Sequence, residues 1–161
     1  MTTLTLTIAD LEAPAFHDLV ARHSAFCDRT APPESCHRLP VEGLKVPGVT
    51  VWTAQDETGL LAMGALKELT PRSGEIKSMH TTEAARGRGL GRRMLAQIMA
   101  TARARGYGSL WLETGVHPLF APARALYAAH GFTECPPFGA YRPDPHSIFM
   151  TCTLPQQDPS R

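Results

Sequence analysis

The chain has little that would cross-link it or anchor it elsewhere. Its 161 residues include four cysteines, Cys27, Cys36, Cys135 and Cys152, and no two of them form a C-x-x-C pair. Their spacing matches no zinc signature and is too sparse for a disulfide framework, so the thiols read as reduced and the compartment as cytoplasmic. No apolar run is long enough to span a bilayer, and the amino-terminal stretch lacks the basic and apolar regions of a signal peptide, so no membrane role is expected. Sixteen basic residues against fifteen acidic ones leave a formal charge of +1. That balance gives no broad electrostatic footprint for nucleic acid, and no nucleic-acid partner is expected. The seven histidines are scattered, without H-E-x-x-H or a nearby carboxylate cluster, so no metal is expected. The G-x-S-x-G elbow of a serine hydrolase and the phosphate loop ending in G-K-[ST] are both absent.

The length suits one hydrophobic core. Residues 1–154 read as a single domain and 155–161 as a polar tail. TLTLTI (3–8) alternates as a strand does, and Asp10 is placed to cap a helix over 11–26, with Pro14 near its first turn. VTVWTAQ (49–55), LLAMGALKEL (60–69) and EIKSMHT (75–81) are separated by the turn signals DETG and TPRSG, which predicts an antiparallel meander. From Leu90 the period changes: Leu90, Met94, Leu95, Ile98, Met99 and Ala102 form one apolar stripe that ends at Gly106. SLWLET (109–114) reads as a strand, 120–132 as a short helix ending at Gly131, and SIFMTCTL (147–154) as a last strand.

Between the third strand and the long helix lies AARGRGLGRRML (84–95), with three glycines and four arginines. Glycine is costly inside a helix but permits tight turns and close backbone approach at its start. Successive free N–H groups at a helix N-terminus, aided by the helix dipole and by Arg86, Arg88, Arg92 and Arg93, make a cradle for an anion such as a phosphate. A solvated glycine turn with surface arginines is the plainer alternative.

At these residues the sequence resembles the GNAT superfamily of acyl-coenzyme A N-acetyltransferases. The family loop [QR]-x-x-G-x-[GA] is matched by Arg86-Gly87-Arg88-Gly89-Leu90-Gly91. The resemblance continues through GEIKSMHT upstream and LWLETG and ALYAAHGF downstream, and PPES, ALKEL, LETG and PFGAYRPDP are similar to a bacterial subgroup of acetyltransferases. It implies a mixed α/β fold: a largely antiparallel, splayed sheet with helices on both faces. It implies acetyl-CoA as cosubstrate, a small-molecule or amino-acid-like amine as acceptor, and direct attack on the thioester. An acyl-CoA-binding regulatory module without catalysis, or acetylation of a peptide or protein amine, stays open as an alternative, and the resemblance allows a homodimer.

Site residues follow from the same resemblance. Backbone groups of Arg86, Gly87, Arg88, Gly89, Leu90, Gly91 and Arg92 would hold the coenzyme's diphosphate. Met79, His80 and Thr81 would meet its pantetheine arm. Phe120 stands where the family often has an asparagine, so Phe120 and Ala123 would hold the arm by packing. Tyr127 would protonate the departing thiolate and Glu75 would serve as general base, with Glu113 as the competing acid. Ser35 and His37 on one side, and Phe138, Tyr141 and Arg142 on the other, would wall the acceptor pocket. In that loop Arg142 either binds a substrate carboxylate or pairs with Asp144.

Overall fold

The computed structural model describes residues 3–155. Apart from Pro155, the expected tail lies outside these residues. Seven strands form one sheet in the order β1-β2-β3-β4-β5-β7-β6. They are β1 (Thr5–Ile8), β2 (Val49–Asp56), β3 (Gly59–Thr70), β4 (Ser73–Thr81), β5 (Ser109–Gly115), β6 (Thr133–Cys135) and β7 (Ser147–Thr153). The meander is present: β1 to β4 are antiparallel neighbours. Asp56 sets the β2–β3 turn by accepting from the Thr58 backbone N–H at 2.8 Å. β4 and β5 are parallel. A parallel pair needs a crossover, and α3 (Leu90–Ala104) supplies it.

The sheet separates two cores. On one face the α3 stripe of Leu90, Met94, Leu95, Ile98, Met99 and Ala102 is buried against Leu66, Ile76, Leu110 and Leu112. α4 (Ala121–Ala129) joins this layer through Leu126 and Tyr127. Gly64 lets α3 approach: a Cβ there would lie 2.7 Å from Met94 Cγ. On the other face α1 (Pro14–Asp28) and the short α2 (Val41–Leu44) bury Phe16, Leu19, Val20 and Leu44 against Val51, Met63 and Ala65.

Two expectations need correction, and one strand was not expected. Asp10 does not cap α1, whose N-cap is Ala13; its carboxylate instead accepts from the Glu12 N–H at 3.0 Å, closing a turn ahead of the helix. The helix expected from residue 120 starts at Ala121, after a single 3-10 turn over Pro118–Phe120. The three-residue β6 has no counterpart in the sequence reading; TEC carries too few residues to show a period.

The decisive feature is a fork. β4 and β5 pair only from Ser73–Ser109 to Ile76–Leu112. Beyond that point β4 continues along β3 while β5 continues along β7. The β3–β4 register shifts between Met63 and Ala65, and Ser78 takes the left-handed φ of 57°. This extra residue bends β4 away from β5. A gap opens through the sheet, where side chains from the two helical layers can meet.

Candidate active site at the strand fork

The glycine turn lies beside the fork. Gly89 is the N-cap of α3 with φ 78°, Gly87 has φ 82°, and a Cβ at either would meet nothing within 4 Å. No side chain caps the helix, so its first-turn N–H groups face the open space above the turn. The turn therefore fits a diphosphate: donors are free, and the space that side chains would fill is empty. Arg88 leans away, its guanidinium 3.5 Å from the Asp56 carboxylate. Arg86 donates to the Thr81 carbonyl at 3.3 Å and stacks over Phe26, 5.1 Å from its centroid.

A cleft of about 360 Å³ runs from Arg86 and Gly91 past His80 and Thr81 to Phe120 and Tyr127. It shares Met79, Phe120, Ala123 and Tyr127 with a second cleft on the α1 side, so these residues form the threshold between the two. Gly115 makes room for Phe120: a Cβ there would lie 2.6 Å from the ring. The second cleft is lined by Ser35, His37, Glu75, Lys77 and Glu113. An outer cleft, reached past His37, Glu75 and Lys77, is lined by Phe138, Tyr141 and Arg142. The structure thus gathers all the residues expected at the acceptor side into two adjoining clefts.

The two acids differ sharply. Glu75 is only 3% exposed. Its Oε2 accepts from Lys77 Nζ at 3.1 Å and from the Tyr141 hydroxyl, and Lys77 also donates to that hydroxyl at 2.8 Å. This closed triangle ties the 137–145 loop to β4. Among the described residues Glu113 has one hydrogen-bond partner, the Ser147 hydroxyl at 3.1 Å. Burial pushes its carboxyl up to about 7; Ser147 and Lys77 pull down, while Glu75 and Asp144 push up. Tyr127 comes from the opposite layer, is 5% exposed, and packs edge-on against Phe132. Burial, then the charge of Glu113, raises its phenol far above the ordinary range. The hydroxyl is a neutral donor at any working pH.

Arg142 does not pair with Asp144. The Asp144 carboxylate accepts from the His146 N–H at 2.8 Å, and that bond, then the nearby Ser35 side chain, holds its carboxyl below the ordinary range. The aromatic part of the loop is packed: Phe138 and Tyr141 are 5.0 Å apart, and Tyr141 meets His37 edge-on at 5.0 Å.

The sequence reading missed Lys77 and His23. Lys77 was readable, since residues two apart on a strand share a face with Glu75 between β3 and β5. His23 was not, because it reaches β4 from α1. His23 Nδ1 and His80 Nδ1 lie 3.2 Å apart, and Cys27 Sγ lies 3.8 Å from His23 Nε2. Burial, then His80 and Arg38, lowers His23 to about 3, and burial raises Cys27 to about 11. The pair is therefore a thiol and a neutral imidazole, with no thiolate to act as a nucleophile.

The buried imidazole makes stability pH-dependent. Unfolded, His23 takes a proton near 6.5; folded, only near 3. The unfolded chain binds the extra proton throughout that window, so stability falls as pH drops through it. At pH 5 the loss is on the order of 2 kcal/mol. Glu113 acts with opposite sign over part of the window, so a variant comparison isolates the effect. In urea unfolding at pH 7 and pH 5, His23→Leu should lose stability on acidification by about 2 kcal/mol less than the parent. Equal losses would show that the imidazole is not held neutral.

Comparisons with known proteins agree with this geometry. The sequence profile of the Acetyltransferase (GNAT) family matches residues 9–132. The uncharacterized N-acetyltransferase YsnE of Bacillus subtilis (strain 168) is 43% identical over 149 residues, 92% of this chain and 99% of that protein. The uncharacterized N-acetyltransferase YedL of Escherichia coli (strain K12) is 41% identical over 150 residues, 93% and 94% of the two chains. A Klebsiella pneumoniae protein assigned as an acyl-CoA N-acyltransferase superposes with a TM-score of 0.76 at 30% identity, covering 94% of this chain and 98% of its own. With a profile spanning most of the sequence and relatives aligned nearly end to end, the chain belongs to the acetyltransferase (GNAT) family.

Proposed function

We propose that this chain transfers the acetyl group of acetyl-coenzyme A directly to the amine of a small molecule. One observation carries the reading: Glu113 and Tyr127, from opposite faces of the sheet, line one cleft at the fork, and that cleft opens onto the cleft leading to the glycine turn. Bound there, the coenzyme would supply an activated acetyl thioester. Main-chain N–H groups from Gly87 to Arg92 would hold its diphosphate, and Met79, His80 and Thr81 its arm. Holding both reactants in the gap removes much of the entropic barrier to their meeting.

Glu113 is the base in this reading. A carboxyl titrating near 7 is half ionised at neutral pH and strong enough to take a proton from an attacking amine. Glu75 is assigned to holding the loop, because two donors already occupy its carboxylate. As the nitrogen–carbon bond forms and the carbon–sulfur bond breaks, the amine proton passes to Glu113 and the sulfur is met by the Tyr127 hydroxyl. Protonating Glu113 removes the negative charge that helps raise the phenol, so Tyr127 becomes a better acid when the thiolate departs.

The test is an amine panel with acetyl-CoA, scoring free thiol and product mass together. Acceptor-dependent thiol release with a product heavier by one acetyl group is expected; release that ignores every acceptor would overturn the reading. Tyr127→Phe should lower kcat by about 100-fold and leave the coenzyme's KM within about twofold. An unchanged kcat would remove the tyrosine from the reaction.

A further inference from the structure

We propose that the acceptor is an elongated amine ending in a carboxylate, which Lys67 and Arg142 grip at the outer end of the cleft while the amine lies at Glu113. This deepens the acetyl-transfer reading and rests on it.

The observation that prompts it is an ion pair that does not form. Lys67 on β3 stands directly opposite Glu75 on β4. Opposite charges so placed across two strands normally pair. Here Glu75 is taken by Lys77 and Tyr141. Lys67 is left half-buried, with no ion pair or hydrogen bond among the described residues. It lines the outer cleft, whose volume is about 470 Å³. Arg142, exposed on the far wall of the same cleft, has no partner among the described residues either.

The acids at this cleft do not neutralise these two cations. Glu75 is engaged by Lys77, and Asp144 accepts from the His146 N–H. Glu34, exposed on the opposite wall, makes no ion pair with either cation. An ammonium without a partner on a cleft wall is free to pair with a ligand carboxylate. Arginine adds a planar fork that matches a carboxylate edge to edge. The rings of Phe138 and Tyr141 line the same cleft as the two cations, and they suit an apolar or aromatic spacer.

Sheet geometry sets how far apart the two ends stand on the backbone. Lys67 is in register with Glu75, and Glu75 with Trp111, two residues before Glu113 on the same face. Two strand spacings and two residues of rise separate the Lys67 and Glu113 Cα atoms by about 12 Å. Glu113 lines the inner cleft, and Lys67 and Arg142 line the outer one. An α-amino acid carries its amine and carboxylate on one carbon, whereas dipeptides, ω-amino acids and arylalkylamines with a distant carboxylate can place the two groups in separate clefts.

Three matched acceptors test this: glycylphenylalanine, its carboxamide, and phenylalanine, each with acetyl-CoA and each scored by thiol release and product mass. The parent should prefer the dipeptide acid over its amide by about tenfold or more in kcat/KM, and phenylalanine should be poorer than the dipeptide acid. In Lys67→Gln and Arg142→Gln that preference should shrink towards one, with the acetyl-CoA KM and melting temperature unchanged. Equal use of acid and amide by the parent, a preference that survives both variants, or phenylalanine as the best acceptor would overturn the proposal. Calorimetry of the same compounds on the coenzyme A-bound protein separates the two claims. Acid-selective binding without thiol release would support the carboxylate grip and overturn acetyl transfer; equal binding of acid and amide would overturn the grip.

Discussion

Glu113→Gln is expected to lower kcat/KM for the amine by about 100- to 1000-fold at pH 8 and to make the protein more stable at the same pH. Both effects have one cause. The parent carboxyl titrates near 7 because it is buried, so its basic form accumulates as pH rises through 7. Activity should rise through that range in the parent, and in the variant this limb should vanish while any limb from the acceptor's own ammonium remains. The stability sign is opposite. Unfolded, the carboxyl titrates near 4.5, so between about 4.5 and 7 the folded chain holds a proton that the unfolded chain has lost. Stability therefore falls as pH rises through that window, by on the order of 3 kcal/mol once it is crossed. A glutamine keeps an oxygen for the Ser147 hydroxyl and has no charge to bury. A melting temperature several degrees higher at pH 8, together with the lost limb, is the expected pair of results. Full turnover in Glu113→Gln would return the role of base to another group.

Gly89→Val is expected to weaken coenzyme A binding by about 100-fold. Gly89 has φ 78° and its missing Cβ points into open space. A valine would occupy the place proposed for phosphate and distort the turn that presents the N–H groups, each worth about 1.5–3 kcal/mol to a charged acceptor. Strain alone, on the order of 1–3 kcal/mol, also lowers stability. A matched control separates strain from occupancy. Gly106, at the end of α3, has φ 81° and equally open space. Gly106→Ala and Gly89→Ala should cost similar stability, and only Gly89→Ala should weaken coenzyme A binding in calorimetry. Equal affinities in the two alanine variants would detach the turn from the coenzyme.

Local patterns predicted what is local. The period-two runs over 49–81 and the apolar stripe from Leu90 to Ala102 were readable because each buries one face against one partner, and both are in the structure. Turn glycines at 87 and 89 were readable because only positive φ or close approach explains them there. Which of Glu75 and Glu113 has its carboxylate taken up by donors was not readable. It depends on Tyr141, 66 residues away from Glu75, and on where β4 leaves β5. Nothing in either segment announces that the pairing stops at Ile76 and Leu112. Asp10 shows the opposite failure: the residue type suits a cap, but its carboxylate closes a turn two residues on, and Pro14 starts the helix without it. His23 meets His80 only because α1 packs on the sheet, a contact with no signature in either stretch.

In the proposed reaction the turn after β4 holds the coenzyme and delivers its thioester to the fork. Titrating coenzyme A into isotope-labelled protein and following backbone amide resonances tests it most directly. The largest shifts are expected at residues 86–92, with a second set at 79–81 and around Tyr127. Saturable binding that leaves the 86–92 amides unmoved, or no binding at all, would contradict it.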